Sequence, residues 1–321
     1  GSGEPRIDFK DDAKGALKLE PTRSNLITYS NDFTNSSWSG VFIENNGISP
    51  DGTLNADKFV FAQGGSYPQF YKSVSGLVVG QEYTSTMYIK KTENSSDFEI
   101  NSSGTLFNPT NEWQRVVKTF TASSTTQTVL LNYVVSVGVG VINEIYVAFA
   151  QLEQGSYATS YIPTQGSAVT RVAESCSQTV PSGIIGQTEG TVFLDVDFKT
   201  LSGTNMFVSI RPDASNKIEI YRTDAAIYGE FASDASFNFN KPSVTVGRYK
   251  IAVAYSSGSS AMYINGVLIG SNTTPFAFTS TLDGIYINSR GTTFIEQSSY
   301  NDVKLYNTRL SNAELQALTS N

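Results

Sequence analysis

The sequence contains no histidine, only one cysteine, few charged residues and no long hydrophobic run. The absence of histidine excludes Ser-His-Asp and Cys-His arrangements, zinc sites with imidazole ligands and imidazole acid–base chemistry. Cys176 cannot form an intrachain disulfide, and no histidine is present to activate it, so we interpret it as a small, inert residue. Carboxylate-pair chemistry of the kind that glycosidases use remains open.

Charge and hydropathy narrow the classes of partner. The charged fraction is 16%, against about 25% in an average protein, and the formal net charge is −7. No cluster of Lys and Arg stands out, which argues against a nucleic-acid partner. The longest apolar stretch, at 134–142, is interrupted by Ser136, Gly138 and Gly140. No segment therefore reaches the roughly 18 apolar residues that predict membrane insertion.

The N-terminus and the free thiol suggest where the chain comes from. Gly1-Ser2-Gly3 is typical of a cloning remnant, so we expect the natural chain to extend upstream. The sequence shows no secretory signal, and a free thiol fits a protein that is assembled in the bacterial cytoplasm.

Strand patterning dominates the rest of the sequence. Apolar and polar residues alternate over several segments that are separated by clusters of Ser, Asn, Asp and Gly. The alternation predicts strands at 84–90, 112–121, 127–135, 144–152, 191–198 and 248–255. The predicted fold class is all-β, with two β-sandwich (jelly-roll) domains in tandem and a short C-terminal helix.

Two local motifs give sharper predictions. Asn265-Gly266 separates the apolar runs 262–264 and 267–269, and this pair favours a type I′ hairpin because both residues tolerate positive φ. Ser311 and Glu314 have capping-box spacing and predict the start of a helix, with Leu315 and Leu318 on its apolar side.

A length of 321 residues suits two domains. The stretch 161–180 is rich in Ser and Thr, contains Pro163 and Gly166, and has no clear periodicity, so we interpret it as the region of the boundary. The predicted organisation is a lead-in segment at 1–24, a first domain at 25–166, a linker at 167–182 and a second domain at 183–321.

The first domain resembles a known family at both of its ends. It opens with LEPTRSNLITYSNDF at 19–33, followed by Trp38, and it closes with AQLEQGSYATSYIPT at 150–164. These stretches resemble a module that recurs in phage tail fibres and virion proteins and is related to jelly-roll carbohydrate-binding modules. The resemblance covers residues 5–172. It implies a structural calcium ion near the paired terminal strands, where Asp32 and Glu153 match in position. The alternative is an unmetallated pair of surface acids, and no other cofactor is required.

The second domain resembles the concanavalin A-like (laminin G-like) lectin and glucanase sandwich. The resemblance rests on residues 190–198, 263–267 and 301–311 and covers 180–321. Glucanase members carry an E-x-D-x-E pattern on one strand. Asp195 and Asp197 have the right spacing but lack the flanking Glu residues, which argues against hydrolysis.

Sugar binding requires aromatic platforms and fixed polar groups, and both domains offer candidates. In the first domain the candidates are Trp38, Trp113, Tyr67 and Tyr71. The alternative places the tryptophans in the core and the tyrosines at strand edges. In the second domain the candidates in or beside predicted loops are Arg211, Asp213, Tyr221, Arg222, Tyr228 and Arg290. The alternative is that these residues form a solvated rim.

These observations predict a phage virion protein of the tail-fibre or receptor-binding type, which attaches to the host by binding cell-surface glycans without catalysis. Its partners would be bacterial surface polysaccharide or another glycan and other virion proteins, and the resemblance implies a homotrimer on the extracellular virion. One alternative is a structural capsid or fibre decoration protein that binds no sugar. Another is a polysaccharide depolymerase.

Overall fold

Apart from one short helix, the regular secondary structure of the described residues is all β-strand, which confirms the predicted fold class. The computed structural model describes residues 6–9, 13–40, 42–61, 69–93, 95, 99–102, 104–134, 143–291 and 293–320. Tyr67 and the proposed cloning remnant at 1–3 lie outside the described residues. The strands up to residue 134 are β1 (Ile7–Asp8), β2 (Ala16–Leu19), β3 (Arg23–Asn25), β4 (Trp38–Ser39), β5 (Phe42–Ile48), β6 (Leu54–Phe61), β7 (Gln69–Ser75), β8 (Glu82–Lys91), β9 (Ile100–Ser102), β10 (Thr105–Phe107), β11 (Gln114–Thr121) and β12 (Thr126–Val134).

The later elements carry the chain to its C-terminus. They are β13 (Asn143–Gln154), β14 (Val169–Arg171), β15 (Cys176–Thr179), β16 (Glu189–Phe198), β17 (Asn205–Ile210), β18 (Lys217–Arg222), β19 (Ala226–Ala232), β20 (Phe237–Pro242), β21 (Gly247–Ser256), β22 (Ser260–Ile264), β23 (Val267–Asn272), β24 (Gly284–Ile287), β25 (Ser298–Tyr306) and the helix α1 (Asn312–Thr319). The six strands predicted from alternation are all present, with ends within two residues of the predicted ones.

Two units divide the chain, and they do not simply follow one another. Residues 22–172 form one unit, which we call the inserted unit. Residues 1–21 and 173–321 form the other, which we call the flanking unit. The segment that we predicted to be a lead-in thus contributes β1 and β2 to the flanking unit, where β2 pairs with β25. These two strands are too short to show a period that assigns them to a sheet.

The flanking unit is a sandwich of two antiparallel sheets. One sheet has the order β1-β2-β25-β16-β21-β22-β23, and the other has the order β15-β24-β17-β18-β19-β20. The alternation predicted for β16 is confirmed, because Val192, Leu194, Val196 and Phe198 all lie in the core cluster. Phe193 has the opposite orientation and packs against α1.

The inserted unit is a second sandwich with its own core. Its sheets have the orders β10-β9-β12-β7-β4 and β11-β8-β13-β6-β5, and β14 pairs separately with β3. The predicted linker at 167–182 therefore contains two strands, β14 here and β15 in the flanking unit. Both are short and mostly exposed, so they lack the alternation by which buried strands are recognised.

Both local motifs have the predicted structure. Asn265 has φ 49° and Gly266 has φ 78°, as a type I′ turn requires. A side chain at Gly266 would place its Cβ 2.9 Å from the Ser320 hydroxyl oxygen, so glycine is favoured there for space as well as for conformation. The capping box forms at α1, whose Leu315 is fully buried. Among the described residues no helix has the length and apolarity needed to cross a membrane.

Lys72 is an unusual member of the inserted unit's interior. It lies on β7 between Phe70 and Val74, which belong to the core, and its side chain has the same orientation because strand residues alternate. Its ammonium donates to the Ser37 hydroxyl at 2.5 Å and lies 5.4 Å from the centre of the Trp38 ring. Burial lowers the pKa of Lys72.

Replacing Lys72 by methionine should therefore raise the free energy of unfolding of the inserted unit, by roughly 1–2 kcal/mol at neutral pH, because the cost of burying a charge is removed. The pKa of Lys72 is lower in the folded state than its ordinary 10.5, so the unfolded chain binds more protons between these two values. The stability of the wild-type unit should rise with pH in that alkaline window, and the advantage of the variant should shrink there.

Denaturant unfolding followed by tryptophan fluorescence measures this effect, since Trp38 lies beside Lys72. Lys58→Met is the matched control, because Lys58 is also on a strand but forms a 3.4 Å ion pair with Glu144. We expect no comparable gain for it. A Lys72→Met variant that is less stable than the wild type at pH 7 would contradict the interpretation.

Candidate functional site

The clearest concentration of polar and aromatic groups lies on β18 and β19 of the flanking unit. Ile218 and Ile220 of β18 belong to the core, so the residues between them have the opposite orientation and lie on the outer face of the sheet. In the register of the two strands, Glu219 is opposite Glu230 and Tyr221 is opposite Tyr228. We call this set the tyrosine face; its members are Lys217, Glu219, Tyr221, Tyr228 and Glu230.

A pair of stacked rings forms the aromatic part of the tyrosine face. The ring centres of Tyr221 and Tyr228 are 5.1 Å apart, and the planes are inclined by 15°. The Tyr221 hydroxyl donates a hydrogen bond of 3.0 Å to Glu230. Burial and this hydrogen bond raise the pKa of Tyr221, so its hydroxyl stays protonated at neutral pH and holds the ring in place. The pair is a rigid aromatic surface with polar edges.

Glu219 is the centre of the charged part. Its side chain is fully buried, and it accepts hydrogen bonds from the Ser209 hydroxyl at 2.8 Å and from both Nε and Nη2 of Arg290. The Lys217 ammonium donates to Oε2 of Glu219 at 3.1 Å. The bidentate guanidinium contact and the other donors fix this carboxylate in one geometry. Arg290, predicted to lie beside a loop, thus reaches the tyrosine face through Glu219.

Lys217 connects the two carboxylates, since its ammonium also lies 2.6 Å from Glu230. Burial by itself would raise the pKa of Glu230, but Lys217 and the Tyr221 hydroxyl outweigh it, and the pKa of Glu230 lies below its usual range. A glycosidase needs one carboxyl group that stays protonated to act as general acid. Glu230 is ionised, and Glu219 is fully buried with both oxygens occupied by donors, so neither is placed to act as the general acid. Glu230 is the acceptor that this face presents to a ligand, and Glu219 holds Lys217 and Arg290 in position.

In the comparisons with known proteins, this chain is similar to solved structures, and the other two comparisons found no match. No known protein-family profile matches the chain. No curated protein matches it. One similar structure is the CBM40 domain of the Ruminococcus gnavus IT-sialidase bound to α2,3 sialyllactose, which is 18% identical, with 42% of this chain and 84% of that chain covered and a TM-score of 0.37.

Two structures of botulinum neurotoxins are also similar, and one of them is a binding domain. The serotype G domain is 13% identical, with 45% of this chain and 39% of that chain covered and a TM-score of 0.38. The type C structure, reported with the interaction of two ganglioside molecules, is 11% identical, with 46% and 39% covered and a TM-score of 0.39. At such low TM-scores these likenesses do not identify which residues of this chain bind a ligand.

The structure separates the candidates that were predicted in the second domain. Tyr221, Tyr228 and Arg290 come together, and Arg211 lies 4.0 Å from Glu219. Arg222 does not belong with them, because it follows Tyr221 on the same strand and therefore has the opposite orientation. Its side chain is fully buried, donates to the carbonyls of residues 202 and 203 and lies over a phenylalanine of the core. Asp213 closes a local turn by accepting from backbone N–H groups two and three residues later.

The candidates in the first domain do not form one site. Trp38 is buried in the core, as the alternative interpretation has it, where its indole N–H donates to a backbone carbonyl at 2.9 Å. Tyr71 is half-buried. Trp38 is paired across the strands with Lys72, the residue after Tyr71, so Tyr71 lies on the opposite face of the sheet from Trp38. Trp113 packs in a smaller cluster with Phe149 and Tyr161 and donates to the Ile48 carbonyl at 3.2 Å.

Asp32 and Glu153, the residues predicted for calcium, have different partners. Asp32 accepts hydrogen bonds from Thr34 and Asn35 within its own turn. Glu153 is fully buried and accepts from Gln151 and from the backbone and hydroxyl of Thr159. Within the described ranges, no group of three or more acidic, histidine or cysteine side chains is placed to hold a metal ion. The calcium site stays a prediction.

Sequence reasoning missed the charged half of the tyrosine face. Lys217, Glu219 and Tyr221 alternate with Ile218 and Ile220, so the pattern of a strand with a polar outer face was visible. The pairing of Glu219 with Glu230 was not visible, because it depends on the register between two strands.

Proposed function

We propose that this protein is a non-catalytic glycan-binding protein that attaches a phage virion to polysaccharide on the bacterial surface, and that the tyrosine face is one of its binding surfaces. The observation that carries the proposal is the stacked Tyr221–Tyr228 pair beside carboxylates that are held in fixed positions. A pyranose ring has an apolar face that suits an aromatic platform, and its hydroxyl groups need rigid acceptors and donors around it.

The ion network supports binding without cleavage. Glu219 and Glu230 are the paired carboxylates of this face, and both contact the Lys217 ammonium. On the opposite sheet, Asp195 is held by a two-pronged contact with Arg248 at 2.7 and 2.8 Å. Against the effect of burial, Lys217 and the Tyr221 hydroxyl hold the pKa of Glu230 below its usual range, so this partly exposed carboxylate stays ionised and can accept hydrogen bonds from sugar hydroxyl groups.

The assignment to a virion is supported by the residues at 19–33 and 150–164 and their resemblance to phage tail-fibre modules. Sites on an open sheet face bind single sugars weakly. A fibre that carries several copies raises the effective concentration of each site, and attachment becomes strong through multivalency. The same resemblance to tail-fibre modules is the basis on which we propose a homotrimer.

The test is a glycan array of bacterial surface polysaccharides, followed by titration calorimetry with the strongest binder. Tyr221→Ala and Tyr228→Ala should each raise the dissociation constant at least about tenfold, which is ~1.4 kcal/mol. Tyr221→Phe keeps the ring and removes only the hydrogen bond to Glu230, so it should retain most of the affinity.

Tyr306→Ala is the matched control. Tyr306 is a half-buried tyrosine that follows Leu305, a core-packed residue, and so lies on the outer face of the opposite sheet. The Tyr306→Ala variant should bind the polysaccharide with the same affinity as the wild type. If no polysaccharide on the array binds, the structural decoration alternative is favoured. If a bound polysaccharide acquires new reducing ends, the protein is a depolymerase.

A further inference from the structure

The inserted unit contains a cleft that the proposal above does not use. Its volume is about 640 Å³, within the roughly 300–1,000 Å³ of small-molecule sites. We infer that this cleft is a second saccharide site, which accepts a neutral pyranose and rejects acidic sugars, and which acts independently of the tyrosine face. Every residue that lines it belongs to the inserted unit.

Phe149 and Tyr161 form an aromatic wall of the cleft. Their ring centres are 4.5 Å apart and the planes are inclined by 17°. Phe149 has φ 58°, a conformation that a bulky residue rarely adopts, at the point where the register of β13 with β8 shifts. Such bulges redirect a side chain, and strained residues of this kind concentrate at binding sites.

Neighbouring groups hold this wall in place. The Phe149 N–H donates to the Asn31 side-chain oxygen at 2.9 Å. The Tyr161 hydroxyl shares a 2.6 Å hydrogen bond with the Ser30 hydroxyl. Burial raises the pKa of Tyr161 to about 12, so the hydroxyl remains neutral. The platform is therefore preorganised, and little rotamer freedom is lost when a ligand binds.

Asp32 and Asp51 are the charged groups of the cleft, and both have the same arrangement. Asp32 uses Oδ1 to accept from Thr34 and Asn35, and Asp51 uses Oδ1 to accept from Ser49 and Thr53. In neither case does a described residue donate to Oδ2. The turns fix each carboxylate, and the second oxygen remains available to hydroxyl groups of a ligand.

The charge of the cleft selects the ligand. Among the described residues that line it there are two aspartates and no Lys or Arg. Hydrogen bonds from Ser49 and Thr53 lower the pKa of Asp51, so its negative charge persists at neutral and mildly acidic pH. A sugar with its own carboxylate would be repelled, whereas the hydroxyl groups of a neutral pyranose can donate to both aspartates.

The experiment is saturation-transfer NMR on the full chain with methyl glucoside, methyl galactoside, methyl mannoside and N-acetylglucosamine, and with sialic acid and glucuronic acid as acidic probes. We expect saturable binding of at least one neutral probe and none of either acidic probe. Asp51→Asn keeps the Oδ1 acceptor of the turn but removes the charge, and it should weaken the neutral probe roughly ten- to a hundredfold.

The matched control is Asp234→Asn in the flanking unit, whose Oδ1 likewise accepts from a backbone N–H and a serine hydroxyl. Asp234→Asn should bind the neutral probe as the wild type does. The Tyr221→Ala/Tyr228→Ala double variant should also bind it unchanged, and this result separates the cleft from the tyrosine face of the proposed function. Gln165→Ala serves as a second cleft variant that leaves the turns intact. Binding of an acidic probe to the Tyr221→Ala/Tyr228→Ala double variant, an unchanged affinity in both cleft variants, or no binding of any neutral probe would each overturn the inference.

Discussion

Replacing Glu219 by glutamine should lower the free energy of unfolding of the flanking unit by about 3–5 kcal/mol, the usual cost of removing one partner from a buried ion pair. Glu219 is fully buried and receives donors from Arg290, Lys217 and Ser209. A neutral amide cannot balance these cations, and its NH2 group would face other donors. The loss should exceed that of any other single charge neutralisation on the tyrosine face.

Glu230→Gln is the matched control, because Glu230 lies directly opposite Glu219 but is 27% exposed. When the charge of Glu230 is removed, water can solvate its former partners Lys217 and Tyr221. The expected loss is therefore about 1 kcal/mol or less. Both tryptophans lie within 22–172, so fluorescence reports the inserted unit, while far-UV circular dichroism follows both units. Equal losses for the two variants would show that Glu219 is not the centre of the network.

Leu19→Ala should destabilise the flanking unit by about 2–5 kcal/mol, the range for deleting a buried leucine side chain. Leu19 is 5% exposed and belongs to the flanking unit's core cluster, although more than 150 residues separate it from the other members. The variant tests directly whether the N-terminal segment is a structural part of this unit.

Ile7→Ala in the same segment is the control, because Ile7 is 44% exposed and should change stability by no more than about 0.5 kcal/mol. The circular-dichroism transition that is not accompanied by a fluorescence change belongs to the flanking unit. If Leu19→Ala instead shifts only the tryptophan transition, or shifts neither, then β2 does not stabilise the unit to which it is assigned.

The candidate site was predicted only in part. Tyr221, Tyr228 and Arg290 were selected because they suit sugar binding, and they do come together. They were expected in or beside loops, whereas both tyrosines lie within strands. That difference explains why Arg222 was wrongly included, since adjacent strand residues lie on opposite faces and only the assignment of a strand separates them.

The cleft of the inserted unit could not be predicted from the sequence. Phe149 lies in a stretch whose alternation indicates a regular strand, and only the bulge in β13 brings it beside Tyr161. Asp32 was selected as a calcium ligand from its position in a family pattern, and Asp51 gave no signal at all. A local irregularity in pairing depends on both strands, so neither strand's own sequence reveals it.

Local information in the sequence was enough for the six predicted strands, the hairpin at Asn265-Gly266 and the capped helix, because each depends on side-chain periodicity or on the φ preferences of a few neighbouring residues. The missing histidine excluded whole classes of chemistry in the same direct way. Tertiary structure alone decided that β2 joins β25, that Glu219 lies opposite Glu230 and that two aspartates share a cleft. Strand pairing gains its free energy from contacts between distant segments, and no single segment carries that information.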